Sequence, residues 1–186
     1  MNVQREAYKS KLKQFNSTPK YNSELNFLSQ LMTPIRGEKI LDYGCGLGTA
    51  VRYFRDHFGA DCFGFDVVNY REVDDLSLFR DKFFFKFDNV YFMHSIAHVP
   101  DIENKLEELK ELLNPEAKIY VITPNRDWIE EVGVMNYIPD PTVIKHFNLI
   151  ELITLFENEG FKTQTFGQFG AIKGRVNERL FLEVQF

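Results

Sequence analysis

Hydrophobic and polar positions along this chain follow two different periods. Over residues 1 to about 32, apolar side chains recur every three or four positions: Tyr8, Leu12 and Phe15, then Leu25, Leu28 and Leu31. That spacing predicts helix, in one or two pieces broken near Ser17-Thr18-Pro19. From residue 39 onward, short apolar runs alternate with helical stripes. Strands are predicted at 39–43, 61–66, 89–94 (NVYFMH) and 118–123, the last closed by Pro124. Helices are predicted at 48–58, ended by Gly59, and at 148–159, ended by Gly160. A third, at 101–113, places Ile102, Leu106, Leu109 and Leu113 on one face and is stopped by Asn114-Pro115. Two closing strands, 161–169 and 179–186, flank a loop containing Gly170 and Gly174. In the second, Leu182, Val184 and Phe186 share one face.

Alternation of strands and helices predicts an α/β fold: a doubly wound, Rossmann-like, mostly parallel sheet in a three-layer α/β/α arrangement. The closing pair has too short a connection for a crossover helix, so it is expected as a C-terminal antiparallel hairpin at or near one edge. Residues 1–34 read as an N-terminal helical appendage or lid, and 35–186 as the main domain. No internal repeat or low-complexity segment interrupts this plan.

The stretch ILDYGCGLGT, where the first strand turns into the first crossover helix, carries Gly44, Gly46 and Gly48 two apart, with Asp42 before them. Glycine at such a turn permits backbone angles that a Cβ forbids and lets a ligand approach bare backbone. The N–H groups at the helix start favour an anion. A dinucleotide loop of the form G-x-G-x-x-G would need its third glycine at position 49, which is Thr49. Asp42 would repel a diphosphate and attract an amine. A ligand bearing both an amine and a carboxylate suits the loop from both sides.

Composition narrows the setting. Length, 186 residues, fits one domain with a short appendage, and 44% hydrophobic with 26% charged residues is ordinary for a globular chain. The 19 Phe point to a core and pocket rich in rings. A net charge of −5 disfavours a protein that lives on phosphate backbones. Cys45 and Cys62 have neither metal-ligand nor disulfide-framework spacing and read as reduced thiols. The N-terminus lacks the apolar core of a signal peptide, and no window reaches the length of a membrane span. A soluble, cytoplasmic protein without a metal is expected.

These motifs resemble those of the class I S-adenosylmethionine-dependent methyltransferases. ILDYGCGLGT looks like motif I of that family, FGFD like its second strand with a ribose-binding acid, and FDNVYFMHSIAHVPD like its fourth strand and the helix entry after it. LNPEAKIYVITPN and HFNLIELITLFENEGFKT resemble the fifth strand and the late helix, so the resemblance spans roughly 35 to 186. It implies S-adenosyl-L-methionine as cofactor and S-adenosyl-L-homocysteine as product. Cofactor contacts are then expected from Asp42, Tyr43, Gly44, Cys45, Gly46, Gly48, Asp66, Val67 and His94. Asp66, about twenty residues beyond Gly46, would take the ribose hydroxyls in a bidentate way. The segment between Asp66 and Asp88 is short for a full helix and a third strand. An adenine-flanking acid there would be Asp74 or Asp75, and Phe83 to Phe87 could line the adenine side.

Methyl transfer from a sulfonium has a neutral leaving group, so positioning dominates and a base is needed only where the acceptor must lose a proton. His94, His98 and His146 are the candidates: His94 after the fourth strand, His98 in the HVPD segment with a structural role also open, and His146 in a loop with Tyr137 and Asp140. The place after the fourth strand reads HSIAHVP, not the Asn/Asp-Pro-Pro-Tyr of DNA amino methyltransferases, and no Pro-Cys nucleophile is present. The long segment Asn125 to Lys145, with Trp128, is expected to shape the acceptor pocket. The reading is a small-molecule methyltransferase with an O, N or C acceptor, monomeric or homodimeric. A cofactor-binding domain without catalysis and an enzyme acting on protein or RNA are the alternatives; a nicotinamide dehydrogenase is disfavoured by Thr49.

Overall fold

A computed structural model of the chain describes residues 14, 17–66, 85–133, 140–173 and 176–186. Expectations that rest on Tyr8, Leu12, Phe15, Val67, Asp74, Asp75, Phe83, Tyr137 and Gly174 lie outside them. The chain divides into two compact units, 1–82 and 83–186.

In the first unit, helix α1 (Pro19–Met32) starts where the Thr18 hydroxyl accepts the Tyr21 N–H at 3.1 Å. Pro19 stands in the first turn, where a missing N–H costs nothing. The helix ends at Thr33 in a left-handed conformation (φ 46°), whose N–H returns to the Ser29 carbonyl at 2.9 Å. Its apolar stripe of Tyr21, Leu25, Leu28 and Met32 is buried, and Glu24 is buried with it. Strands β1 (Lys39–Tyr43) and β2 (Asp61–Phe65) pair in parallel, with Asp42 opposite Gly64 and Tyr43 opposite Phe65. Helix α2 (Thr49–Phe58) connects them and buries Ala50, Val51 and Phe54. Ile40, Leu41 and Cys62 complete this core.

The second unit contains β3 (Phe87–Met93), a 3-10 turn (Ile96–His98), α3 (Ile102–Lys110), β4 (Leu113–Pro124) and α4 (Arg126–Val132). Helix α5 (Leu149–Asn158), β5 (Lys162–Lys173) and β6 (Val176–Gln185) follow. β3 and β4 are parallel, β6 lies antiparallel beside β4, and β5 lies antiparallel beyond β6. The C-terminal hairpin is therefore present as expected from its short connection. Val90, Phe92, Ile119, Val121, Leu152, Phe156, Leu180, Leu182 and Val184 form the core.

Several boundaries differ from the pattern-based expectation. Helix α3 ends at Lys110, and Asn114-Pro115 lies inside β4 instead of stopping a helix. The pairing shows how: Phe87 faces Leu113 and Asn89 faces Lys118, so β4 carries extra residues that bulge out, with Glu116 left-handed at φ 66°. Gly170 belongs to β5, at its irregularity between Phe169 and Ile172, and not to the hairpin loop. Phe186 lies past the end of β6 and is 46% exposed, whereas Leu180 joins Leu182 and Val184 in the core. Among the described residues, no helix is long and apolar enough to cross a membrane.

Candidate functional site

Asp42, next to last in β1, is buried, only 3% exposed. After Tyr43 the chain turns through Gly44, Gly46 and Gly48, all left-handed at φ 85°, 52° and 68°. These are angles that residues with a Cβ adopt at a cost. Gly44 and Cys45 donate their N–H groups to the Phe65 carbonyl at 2.7 and 2.9 Å, so the loop is sewn to the end of β2. The next residue there is Asp66, and its Oδ2 accepts the Gly46 N–H at 2.8 Å. Gly48 stands at the N-cap of α2 with no side chain to cover the helix start. The loop thus sets the positive end of α2 beside two carboxylates, its own N–H groups spent on holding its shape.

Charge and burial agree with that geometry. Burial pushes the Cys45 thiol well above its ordinary range, and the charges of Asp42 and then Asp66 push it further, so the thiol stays protonated and is no nucleophile. Tyr21 of α1 is also driven upward, by burial first and then by Asp42, Glu24 and Cys45. Asp42, Asp66, Cys45, Tyr21 and Glu24 therefore belong to one charged neighbourhood. Gly64 makes it compact: a Cβ there would lie 2.7 Å from the Cys45 sulfur.

In the second unit, His94 follows β3 in a left-handed conformation (φ 59°), its N–H donating to the Ile122 carbonyl at 2.8 Å. His98 closes the 3-10 turn, and its Nδ1 lies 2.9 Å from the Thr142 hydroxyl. That hydroxyl donates to Asp140 Oδ1 at 2.7 Å, and the same carboxylate oxygen accepts the Thr142 N–H at 2.9 Å. The N–H groups of Ile144 and Lys145 donate to the Ala97 carbonyl at 2.8 and 3.2 Å, which fixes the 140–147 segment over the turn. His146 is held below the usual histidine range by burial and then by the charge of His98, so these two side chains are neighbours. Arg126, from α4, meets Glu151 of α5 at 2.7 Å. Trp128 is half-buried on α4.

Residues 8–165 match the family model described as a methyltransferase domain. The chain belongs to that family. A solved S-adenosylmethionine-dependent methyltransferase from Aquifex aeolicus is 15% identical with a TM-score of 0.72, covering 95% of this methyltransferase domain chain and 97% of the other. Magnesium protoporphyrin IX methyltransferase from Synechocystis PCC 6803, solved with bound S-adenosylhomocysteine, is 14% identical with a TM-score of 0.62, covering 88% and 80% of the two chains. The doubly wound, Rossmann-like α/β expectation is the fold of these structures. The tocopherol O-methyltransferase of Arabidopsis thaliana, a chloroplastic protein, is 31% identical over 46% of this chain and 30% of its own length. The chain thus spans about 30% of the length of that curated relative.

The residues present fit S-adenosylmethionine, the cofactor that the sequence resemblance implies. An acid stands at the end of each of β1 and β2, with the glycine loop and the N-terminal end of α2 beside them, which matches a ligand that carries hydroxyls, an ammonium and a carboxylate. The first unit brings together Asp42, Gly44, Cys45, Gly46, Gly48 and Asp66; the second brings His98 beside His146, with His94 at the strand end of the same unit. Sequence reasoning missed Tyr21, Glu24 and Thr142. For Glu24 a signal existed: a carboxylate one position before Leu25 on an apolar stripe. Thr142 gave none, since its partner His98 lies 44 residues away.

Proposed function

We propose that this chain transfers a methyl group from S-adenosylmethionine to the O, N or C atom of a small molecule. The observation that carries the cofactor half is the Gly46–Asp66 hydrogen bond of 2.8 Å, which holds the glycine loop and the second acid at one place. In this reading Asp66 takes the ribose hydroxyls, Asp42 faces the ammonium, and the N-terminal end of α2 behind Gly48 faces the carboxylate, with Gly44, Cys45 and Gly46 letting the ligand approach the backbone closely. Tyr43, Val67 and His94 are assigned to the cofactor's surroundings, and residues 1–34 to a lid. Bound cofactor supplies an electrophilic methyl group and a neutral leaving group, so the chain's share is orientation.

The small-molecule acceptor is supported by the relatives named for tocopherol and magnesium protoporphyrin IX, and by a net charge of −5 that disfavours nucleic acid. Cys45 and Cys62 are buried thiols, in keeping with a reduced, cytoplasmic setting, and the protein is taken as a monomer or homodimer. Isothermal titration with S-adenosylhomocysteine and with NAD tests the cofactor, and NAD-only binding would end the reading. Transfer of labelled methyl from S-adenosylmethionine to a panel of small phenols, alcohols and amines, beside RNA and protein, tests the acceptor. Label on macromolecules alone would move the activity to another class, and cofactor binding without any product would leave a binding domain.

A further inference from the structure

We infer that the outer edge of β5 docks a second copy of this chain, the two β5 strands pairing antiparallel about Gly167 so that one sheet continues into the other. This edge lies wholly within the second unit, and its pairing is independent of the cofactor and acceptor readings.

β5 is the outermost strand of its sheet: β6 pairs with one side of it, and among the described residues no strand pairs with the other. An open edge presents a row of unpaired N–H and C=O groups, which proteins usually blunt with short strands, charges, proline or bulges. β5 is twelve residues long, and between Lys162 and Lys173 it carries neither a charge nor a proline. Gln164 to Phe166 and Gly170 to Ile172 are exposed, Phe166 at 53%. Two irregularities, between Thr163 and Thr165 and between Phe169 and Ile172, confine the regular ladder to residues 165–169.

That short stretch suits its own copy. A two-fold interface needs a patch that is complementary to itself. With Gly167 opposite Gly167 of the second copy, Thr165 falls opposite Phe169, a β-branched residue against an aromatic one, and Phe166 falls opposite Gln168. Phe166 then lies diagonal to Phe166 of the second copy, within reach of an aromatic ring, and each covers the exposed surface of the other. The paired glycines leave no gap on the other face, because the Phe181 ring already lies over Gly167, where an added Cβ would meet it at 2.6 Å. Carried outward, the same register sets Lys162 towards Ile172, so no like charges meet. A foreign strand would gain the backbone bonds but not the reciprocal phenylalanine contact. So short a ladder buries little against the roughly 1,600 Å² of a standard interface, and the dimer is therefore reversible and concentration-dependent.

Sedimentation velocity of the full chain over a dilution series, with amide hydrogen exchange at low and high protein concentration, tests the pairing. A monomer–dimer equilibrium is expected, with protection of alternate amides in 165–169 rising as the protein is concentrated. Phe166→Lys and Phe166→Glu should each weaken association at least about tenfold, because like charges then face each other across the axis. An equimolar mixture of the two variants should dimerise again, since opposite charges now meet there. Phe166 is exposed, so both variants should keep the wild-type circular dichroism; the exchange measurement on wild type decides the edge even where a variant does not fold. A wild-type chain that stays monomeric, a dimer indifferent to both charges, or a dimer whose 165–169 amides exchange as fast as in the monomer would each overturn the inference. So would protection of β5 that appears only with an unrelated strand-forming peptide, which would give the edge to a foreign partner.

Discussion

At Gly64 an added methyl group would sit 2.7 Å from the Cys45 sulfur, 3.0 Å from its Cβ and 3.3 Å from Val51 Cγ2. None of these neighbours has a flexible end to move aside, because Cys45 is held by its N–H bond to the Phe65 carbonyl and both residues lie in the first core. Gly64→Ala should therefore destabilise by about 1–3 kcal/mol, the range for overpacking. In a Cys45→Ala background the penalty should shrink, because the nearest atom is gone. Urea denaturation of the two single variants and the double variant measures the coupling, expected at about 0.5 kcal/mol or more; strict additivity would show that the contact does not set the penalty. Asp66 makes a different prediction. If its carboxylate binds the ribose hydroxyls, Asp66→Ala weakens S-adenosylhomocysteine by about 1.5–3 kcal/mol, as read by titration calorimetry. Unchanged affinity would remove Asp66 from the site.

Among the elements, α5 shows how local chemistry defines a boundary. Asn148 Oδ1 accepts the Glu151 N–H at 2.9 Å while Glu151 returns to the Asn148 N–H at 3.2 Å, a reciprocal capping box. Burial alone would raise the Glu151 carboxyl, but the bonds from Arg126 and from the Asn148 backbone outweigh it and hold the group below its ordinary range. Asn148→Ala should cost about 1 kcal/mol in thermal or chemical unfolding, and Asn148→Asp, which can still cap, should cost much less. This helix was legible in the sequence because cap, stripe and Gly160 stop agreed. α4 was not: its seven residues bury none of their side chains, so no stripe marks it, although Asn125 caps it. The start of β4 was misread because proline usually breaks structure, whereas here a bulge takes up Asn114-Pro115-Glu116. In the site, the glycine loop and the two acids were legible because they are close in sequence. The Asp140–Thr142–His98 chain was not, since it joins positions with no shared periodicity.

For the whole molecule, protons and cofactor both act on stability through differences between folded and unfolded chains. His146 is held below its ordinary value of 6.5 when folded. As pH falls through 6.5, the unfolded chain takes up a proton that the folded chain still refuses, so stability declines from there down to the folded value. His146→Gln should flatten that part of the unfolding-midpoint profile between pH 7.5 and 5 relative to wild type; an unchanged slope would mean that other groups set it. Cofactor works in the opposite direction. A ligand that binds only the folded chain at a hundred times its Kd adds about 2.7 kcal/mol, which for a chain of this length corresponds to a rise in Tm of roughly 5–10 °C. If Asp66→Ala lowers affinity ten- to a hundredfold, the same S-adenosylhomocysteine concentration adds only about 0.4–1.4 kcal/mol, and the rise shrinks to roughly 1–5 °C. Thermal scans of both proteins at one ligand concentration, with NAD as the control, measure this difference without any acceptor. Equal rises in the two proteins would mean that the ligand is held without the acid beside the glycine loop, and a rise with NAD alone would mean that the loop is built for a different nucleotide.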